Sequence, residues 1–210
     1  LIRNIEYTSS ADVAYDTATE CAVGMGVGYF KMGLEHAHED TFDLDIRIER
    51  VSNPLSIYRD PASTAADSSD WNSAFEVRMV EKDKFKKLYP KATEADWDSE
   101  AFQNLKDPWA TEDSVMVVRW WQREEYEKQI YLLSDGTIQS EKQMQILQPI
   151  LDLTGVQVVN QRVAKCYRVY FCTLNGVEVL EEEDFPGQYI PIIPVYGDEV
   201  DVEGKRHFMS

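Results

Sequence analysis

Two adjacent stretches hold the residue types that could carry chemistry. His36, His38 and Asp40 stand in the run HAHED, at spacings that two metal ligands can adopt. A closed site needs four donors. No third or fourth ligand stands nearby in the sequence, so a solvated loop is the reading that fits. Just beyond, Asp43, Asp45 and Glu49 share one side of an alternating run. Two divalent ions could sit there, as in metal-dependent nucleases. Such enzymes also use a catalytic lysine or histidine and a cationic approach surface. Arg47 on the same side neutralises its neighbours, and a wet, salt-bridged strand face is the simpler expectation.

The remaining candidates are weaker. GMGVG at Gly24–Gly28 has the look of a dinucleotide loop, but a helix pattern precedes it and a strand pattern follows. Phosphate binding needs the opposite order, with the positive end of a helix after the glycines. A helix stop is the expectation. His207 lies near a strand-like end, and Cys21, Cys166 and Cys172 are too few and oddly numbered for a disulfide framework. Cys166 and Cys172 lie on one strand, too far apart to bridge. No Ser-His-Asp order, Cys-His pair, phosphate loop or zinc spacing occurs. No residue is therefore assigned a catalytic, cofactor-binding or metal-binding role, and the sequence reads as non-enzymatic.

Composition narrows the class. The 210 residues are 43% hydrophobic and 28% charged, which suits a soluble globular chain with a real core. The net charge of −17, from 21 basic and 38 acidic residues, argues against a surface that grips nucleic acid. No apolar run approaches the roughly 20 residues of a membrane-spanning helix. The first residue is Leu1 rather than Met, with no leader pattern behind it, as expected of a piece of a longer chain.

These residues must be positioned by an α+β fold, a mixed and mostly antiparallel sheet with several short to medium helices. Ala11, Ala14, Ala18 and Ala22 make a helix over Ser9–Gly24, with Ser9 and Asp12 as its start signal. The small side chains would let another element come close. Phe30, Met32 and Leu34 form one strand. Phe42, Leu44, Ile46 and Ile48 alternate with charged residues, predicting a strand with this face buried. Residues Ala62–Asp70 read as an exposed, mobile loop, and Lys82–Tyr89 as a short helix stopped by Pro90. Thr93 and Asp96 begin another helix carrying Trp97, Ala101 and Leu105.

In the second half, Val115–Trp121 predicts a strand buried on both faces, so Trp120 and Trp121 either both pack in the core or one lies in a subunit interface. Asp135-Gly136 predicts a hairpin, and Ser140–Leu151 a helix broken near Pro149. Val163, Tyr167, Val169 and Phe171 share a strand face opposite Arg162, Ala164, Cys166 and Arg168. Asn175-Gly176 favours a two-residue turn. Pro191 and Pro194 confine YIPIIPVY to an edge or an irregular extended segment. The whole is expected to be one domain over 1–210, with a weak sub-boundary near Pro108.

Three blocks in combination resemble the portal proteins of short-tailed (podovirus-type) phages: IEYTSSADVAYDTATECAVGMGVGYF, FDLDIRIERVSNPLSIYRDP and FPGQYIPIIPVYG. The resemblance implies a non-catalytic subunit of a homo-oligomeric, usually dodecameric, ring at the capsid vertex of the virion. Double-stranded DNA passes through such a ring without tight binding, and terminase, tail-adaptor and capsid or scaffolding proteins are its partners. No cofactor and no membrane are implied. The stem, clip and barrel of that family have no counterpart in these residues, which resemble the wing region upstream of the stem. An acidic conduit fits, because each neutralised phosphate adds to retention. The same charge opposes association, so apolar or locally complementary contacts, the Arg162/Arg168 face among them, would have to offset it. The competing classes are a metal-dependent hydrolase or nuclease using the acidic strand face, and an adaptor that binds through its strand edges.

Overall fold

A computed structural model describes residues 1–92, 111 and 113–210. The helix expected from Thr93 and Asp96 and the sub-boundary near Pro108 lie outside the described residues. The fold is α+β with antiparallel sheets. Its first layer follows from the alanines. Helix α1 (Ile2–Ser9) and helix α2 (Ala11–Met25) meet at Ser10, whose φ of 49° breaks the helix. The sequence anticipated neither α1 nor this break. Ser9 is the last residue of α1, and its Oγ accepts from the Ile48 N–H at 3.1 Å instead of capping α2. Ala11, Ala14, Ala18 and Ala22 are the buried residues of α2.

Behind α2 stands a three-stranded sheet in the order β2–β1–β9, built from β1 (Val27–His36), β2 (Leu44–Arg50) and β9 (Ile192–Tyr196). The alanine face lets α2 lie almost on the backbone of β1, where a Cβ on Gly28 would come within 1.9 Å of the Ala18 carbonyl oxygen. Gly26 ends the helix in a left-handed conformation, and its N–H donates to the Ala22 carbonyl at 2.8 Å. The glycine run is thus a helix stop and a close-packing point. β9 is an edge strand, as Pro194 within it requires.

The large sheet runs β3–β4–β5–β7–β8, with β6 also paired to β5. Its members are β3 (Ile57–Tyr58), β4 (Ser73–Glu81), β5 (Ser114–Leu133), β6 (Ile138–Ser140), β7 (Val158–Leu174) and β8 (Val179–Phe185). A 3-10 turn (Pro54–Ser56) leads into β3, α3 (Lys82–Leu88) follows β4, and α4 (Glu141–Thr154) follows β6. α4 continues through Pro149 without the expected break, forgoing one backbone bond. β10 (Asp198–Val202) and β11 (Lys205–Met209) make a C-terminal hairpin.

The main core lies between the two sheets. Tyr29, Ile190 and Ile192 from the small-sheet side meet Trp71, Ala74, Trp121, Val169 and Phe171. Trp121 is buried against Phe171, with ring centroids 4.8 Å apart. Trp120 points the other way, half-buried, stacked on Phe75 and donating to Ser73 Oγ at 3.0 Å. Adjacent indoles therefore take opposite faces, as strand geometry demands.

Four further expectations are corrected. The Phe42–Ile48 face is buried only at Ile48, because α1 and α2 cover that end alone; Phe42 is 98% exposed. Residues Ala62–Asp70 are pinned. The Asp70 carboxylate accepts from Ser63 Oγ at 2.8 Å and the Ala65 N–H at 2.9 Å, and Arg206 donates to the Ala65 carbonyl at 2.9 Å. Asn175 adopts no positive φ; its Oδ1 accepts from the N–H groups of Val177 and Glu178, so the β7–β8 connection is a longer, side-chain-closed turn. Lastly, β5 is one strand of 20 residues. Its polar middle, Gln122–Glu125, interrupts the apolar pattern without interrupting the backbone.

Candidate functional surfaces

Lys31 alternates along β1 with the apolar Phe30 and Met32, yet it is only 8% exposed. Its register puts it opposite Glu49 on β2, and the packing of the sheets brings it to Glu76 on β4. The Nζ lies 3.0 Å from Glu76 Oε1 and 3.2 Å from Glu49 Oε2. Arg78 Nε donates to the same Glu76 oxygen at 2.9 Å. Burial by itself would raise the Glu76 carboxyl, but the adjacent Lys31 and Arg78 outweigh it and hold the group below its ordinary value. The cluster is structural, clamping one sheet to the other. Sequence reasoning missed it because a lone lysine in an alternating strand reads as solvated.

The metal-ligand candidates do not converge. His36 closes β1, while His38 and Asp40 lie in the loop beyond it, all exposed. Asp45 and Glu35 flank Arg47, at 3.7 and 3.4 Å, and Glu49 is engaged by Lys31. Among the described residues, no group of three or more His, Cys, Asp or Glu side chains is placed to hold an ion. Cys166 and Cys172 both lie on β7, opposite Tyr126 and Trp120, and burial raises the Cys172 thiol. On β8, burial and the neighbouring Glu181 raise the Glu183 carboxyl, although Arg119 opposes them. No described helix is long and apolar enough to cross a membrane.

What the structure offers is surface. A groove of about 520 Å³ opens where the uncovered end of the small sheet meets the β8–β9 connection, lined by Met32, Leu34, Ile46, Phe185, Tyr189 and Pro191 among others. Beside it, Arg123 ties the layers together. It donates to the carbonyls of Ser69 and Gln188 at 2.9 and 2.8 Å and lies over the Tyr167 ring, 3.7 Å from its centroid. The second surface is the far half of β5 and β7. These strands pair from Val118–Leu174 to Leu133–Val158, well past the core. Most of their side chains beyond Arg123 and Arg168 are exposed or half-exposed.

An all-surface geometry of this kind fits an assembly component, and the family comparison decides which one. The phage P22-like portal protein model matches residues 1–210, the whole chain. The chain belongs to that family. A portal protein of Acyrthosiphon pisum secondary endosymbiont phage 1 is 26% identical over 201 residues, covering 88% of this chain and 27% of the relative. The chain thus spans about a quarter of the length of the curated portal protein it matches. Within the portal family it is a structural phage protein, and the three blocks noted in the sequence all fall inside the matched region.

Proposed function

We propose that this chain is the peripheral, wing-like part of a portal subunit, one α+β domain of a homo-oligomeric ring at the capsid vertex of the virion. In this reading the ring, dodecameric in the whole protein, is a conduit for double-stranded DNA during packaging and ejection. It is also the platform on which terminase, tail-adaptor and capsid or scaffolding proteins dock. The observation that carries the reading is the family match along the entire chain. The physical chemistry agrees with it. A net charge of −17 keeps passing DNA unheld, since affinity for phosphate backbones grows with each cation that neutralises one. The chain's part is scaffolding without catalysis. The acidic strand face supports this, because Asp45 and Glu49 are already engaged by Arg47 and Lys31.

Immunogold labelling of phage particles with antibody raised against this chain tests the proposal. Label at a single vertex per head is expected, and label spread over all vertices overturns it. Calorimetric titration with zinc, manganese and magnesium separates the hydrolase reading, for which a saturable site at micromolar to millimolar metal is required.

A further inference from the structure

Phe42 is almost wholly exposed, at 98%, in the loop joining β1 to β2, two residues before β2 begins. Phe42 therefore offers a whole aromatic ring to a partner. Its neighbours Glu39, Asp40 and Asp43 are all exposed, and none of the three carboxylates has a partner among the described residues. The feature is an apolar knob in an acidic collar.

The matching socket lies on the same polypeptide. At the far end of the β5–β7 ribbon, register places Leu132 beside Ile138 of β6, and Ile130 beside Arg162 of β7, all on one face. They line a depression of about 150 Å³, room for one aromatic ring. Ile138 is 63% exposed there. Even register puts Lys128 on this face too, and no acidic side chain occurs in Lys128–Leu133 or Val158–Ala164. Lys128 and Arg162 have no carboxylate partner among the described residues, whereas Arg168 nearer the core is paired with Asp184 at 2.6 Å. In a chain of net charge −17, an unpaired cationic and apolar patch is the exception.

We infer that Phe42 of one copy seats in the Ile130–Leu132–Ile138 depression of a second copy, with Asp40 and Asp43 facing Lys128 and Arg162. Opposite collars steer the encounter, and an aromatic anchor in a pocket supplies the holding contact. Knob and socket are different surfaces, so the contact is head-to-tail and repeats from copy to copy. It gives a strongly acidic chain a local means of overcoming its own repulsion. The inference rests on the portal reading only for the closure of such a series into a ring.

Disulfide trapping tests it on the 210-residue chain with Cys21, Cys166 and Cys172 replaced by serine. Phe42→Cys chains are mixed with Ile138→Cys chains at hundreds of micromolar and oxidised. Mixed dimer is expected in roughly tenfold excess over either homodimer, and equal yields overturn the contact. In parallel, sedimentation equilibrium on the unaltered background should show association weakened roughly 10- to 100-fold by Phe42→Asp. Arg162→Glu should weaken it as well, and adding Asp43→Lys should restore it. Both sites are on the surface, so circular dichroism should not change. Association that ignores Phe42→Asp and Arg162→Glu overturns this contact, while single-vertex labelling would still uphold the portal reading. Scattered labelling with the mixed dimer intact would do the reverse.

Discussion

Lys31 and Glu76, 45 positions apart in sequence, meet at 3.0 Å across the two sheets, each less than a tenth exposed. Removing Lys31 leaves Glu76 buried with Arg78 as its remaining partner, and removing Glu76 leaves Lys31 with the more exposed Glu49. Lys31→Met should lower the unfolding free energy by about 1–3 kcal/mol in urea titrations, since Arg78 still offsets the carboxylate. The double change Lys31→Met with Glu76→Leu should recover most of the loss. A single variant as stable as the parent would show that the clamp contributes nothing.

The same carboxylate sets a pH dependence. Its folded value lies below the ordinary 4.5, so its contribution is present above that value and is withdrawn as pH falls through the folded one. The stability gap between the parent and Glu76→Gln should stay constant from neutral pH down to about 5 and close below it. Urea midpoints measured across that range check the sign; a gap that widens on acidification contradicts it.

Two glycines, each two residues from the helix-ending Gly26, should respond oppositely. Gly28→Ala drives a methyl into the Ala18 backbone, which cannot swing aside, and should destabilise by about 1–3 kcal/mol or more. Gly24 is exposed and its added Cβ meets nothing within 4 Å. Gly24→Ala should stabilise by about 0.5–1 kcal/mol through helix propensity. Thermal melts of the two variants suffice.

Trp121→Ala should remove about 3–5 kcal/mol, since the indole packs on both Phe171 and Phe185 in the core. Trp120→Ala, which loses one exposed-side stack and one hydrogen bond, should cost less than half as much. Tryptophan fluorescence distinguishes them further, because of these two indoles Trp120 is the more open to an aqueous quencher.

Asp70→Ala should release the segment from Ala62 to Asp70, whose amides at Thr64 and Ala65 it holds. The hydrogen bonds that outweigh burial also lower its carboxyl. Hydrogen exchange at those two amides should accelerate by about tenfold or more, for about 1.4 kcal/mol of local stability lost per decade.

Local pattern foretold what depends on neighbours along the chain. The alanine stripe, the Gly26 stop, the edge role of Pro194 and the opposed tryptophans all follow from period and backbone chemistry. What depended on tertiary cover was illegible. Leu44 and Ile46 alternate as well as Ile48 does, yet only Ile48 lies beneath the helices, and nothing in the run marks where that cover ends. Nothing around Lys31 in the sequence marks its burial, because its two carboxylates come from other strands. Ala62–Asp70 reads as loose because Asp70 and Arg206 bind it through backbone atoms, which carry no residue signature. The family resemblance, by contrast, rested on block order and survived every local misreading.

β5 runs unbroken from Ser114 to Leu133, about 65 Å end to end, with its one irregularity at the last step. Such a beam is a lever. Its fulcrum is the buried Trp121, and its free arm carries the depression around Leu132. In the proposed head-to-tail contact, a neighbour bearing on that arm would load a strand that continues without a break to the buried Trp121.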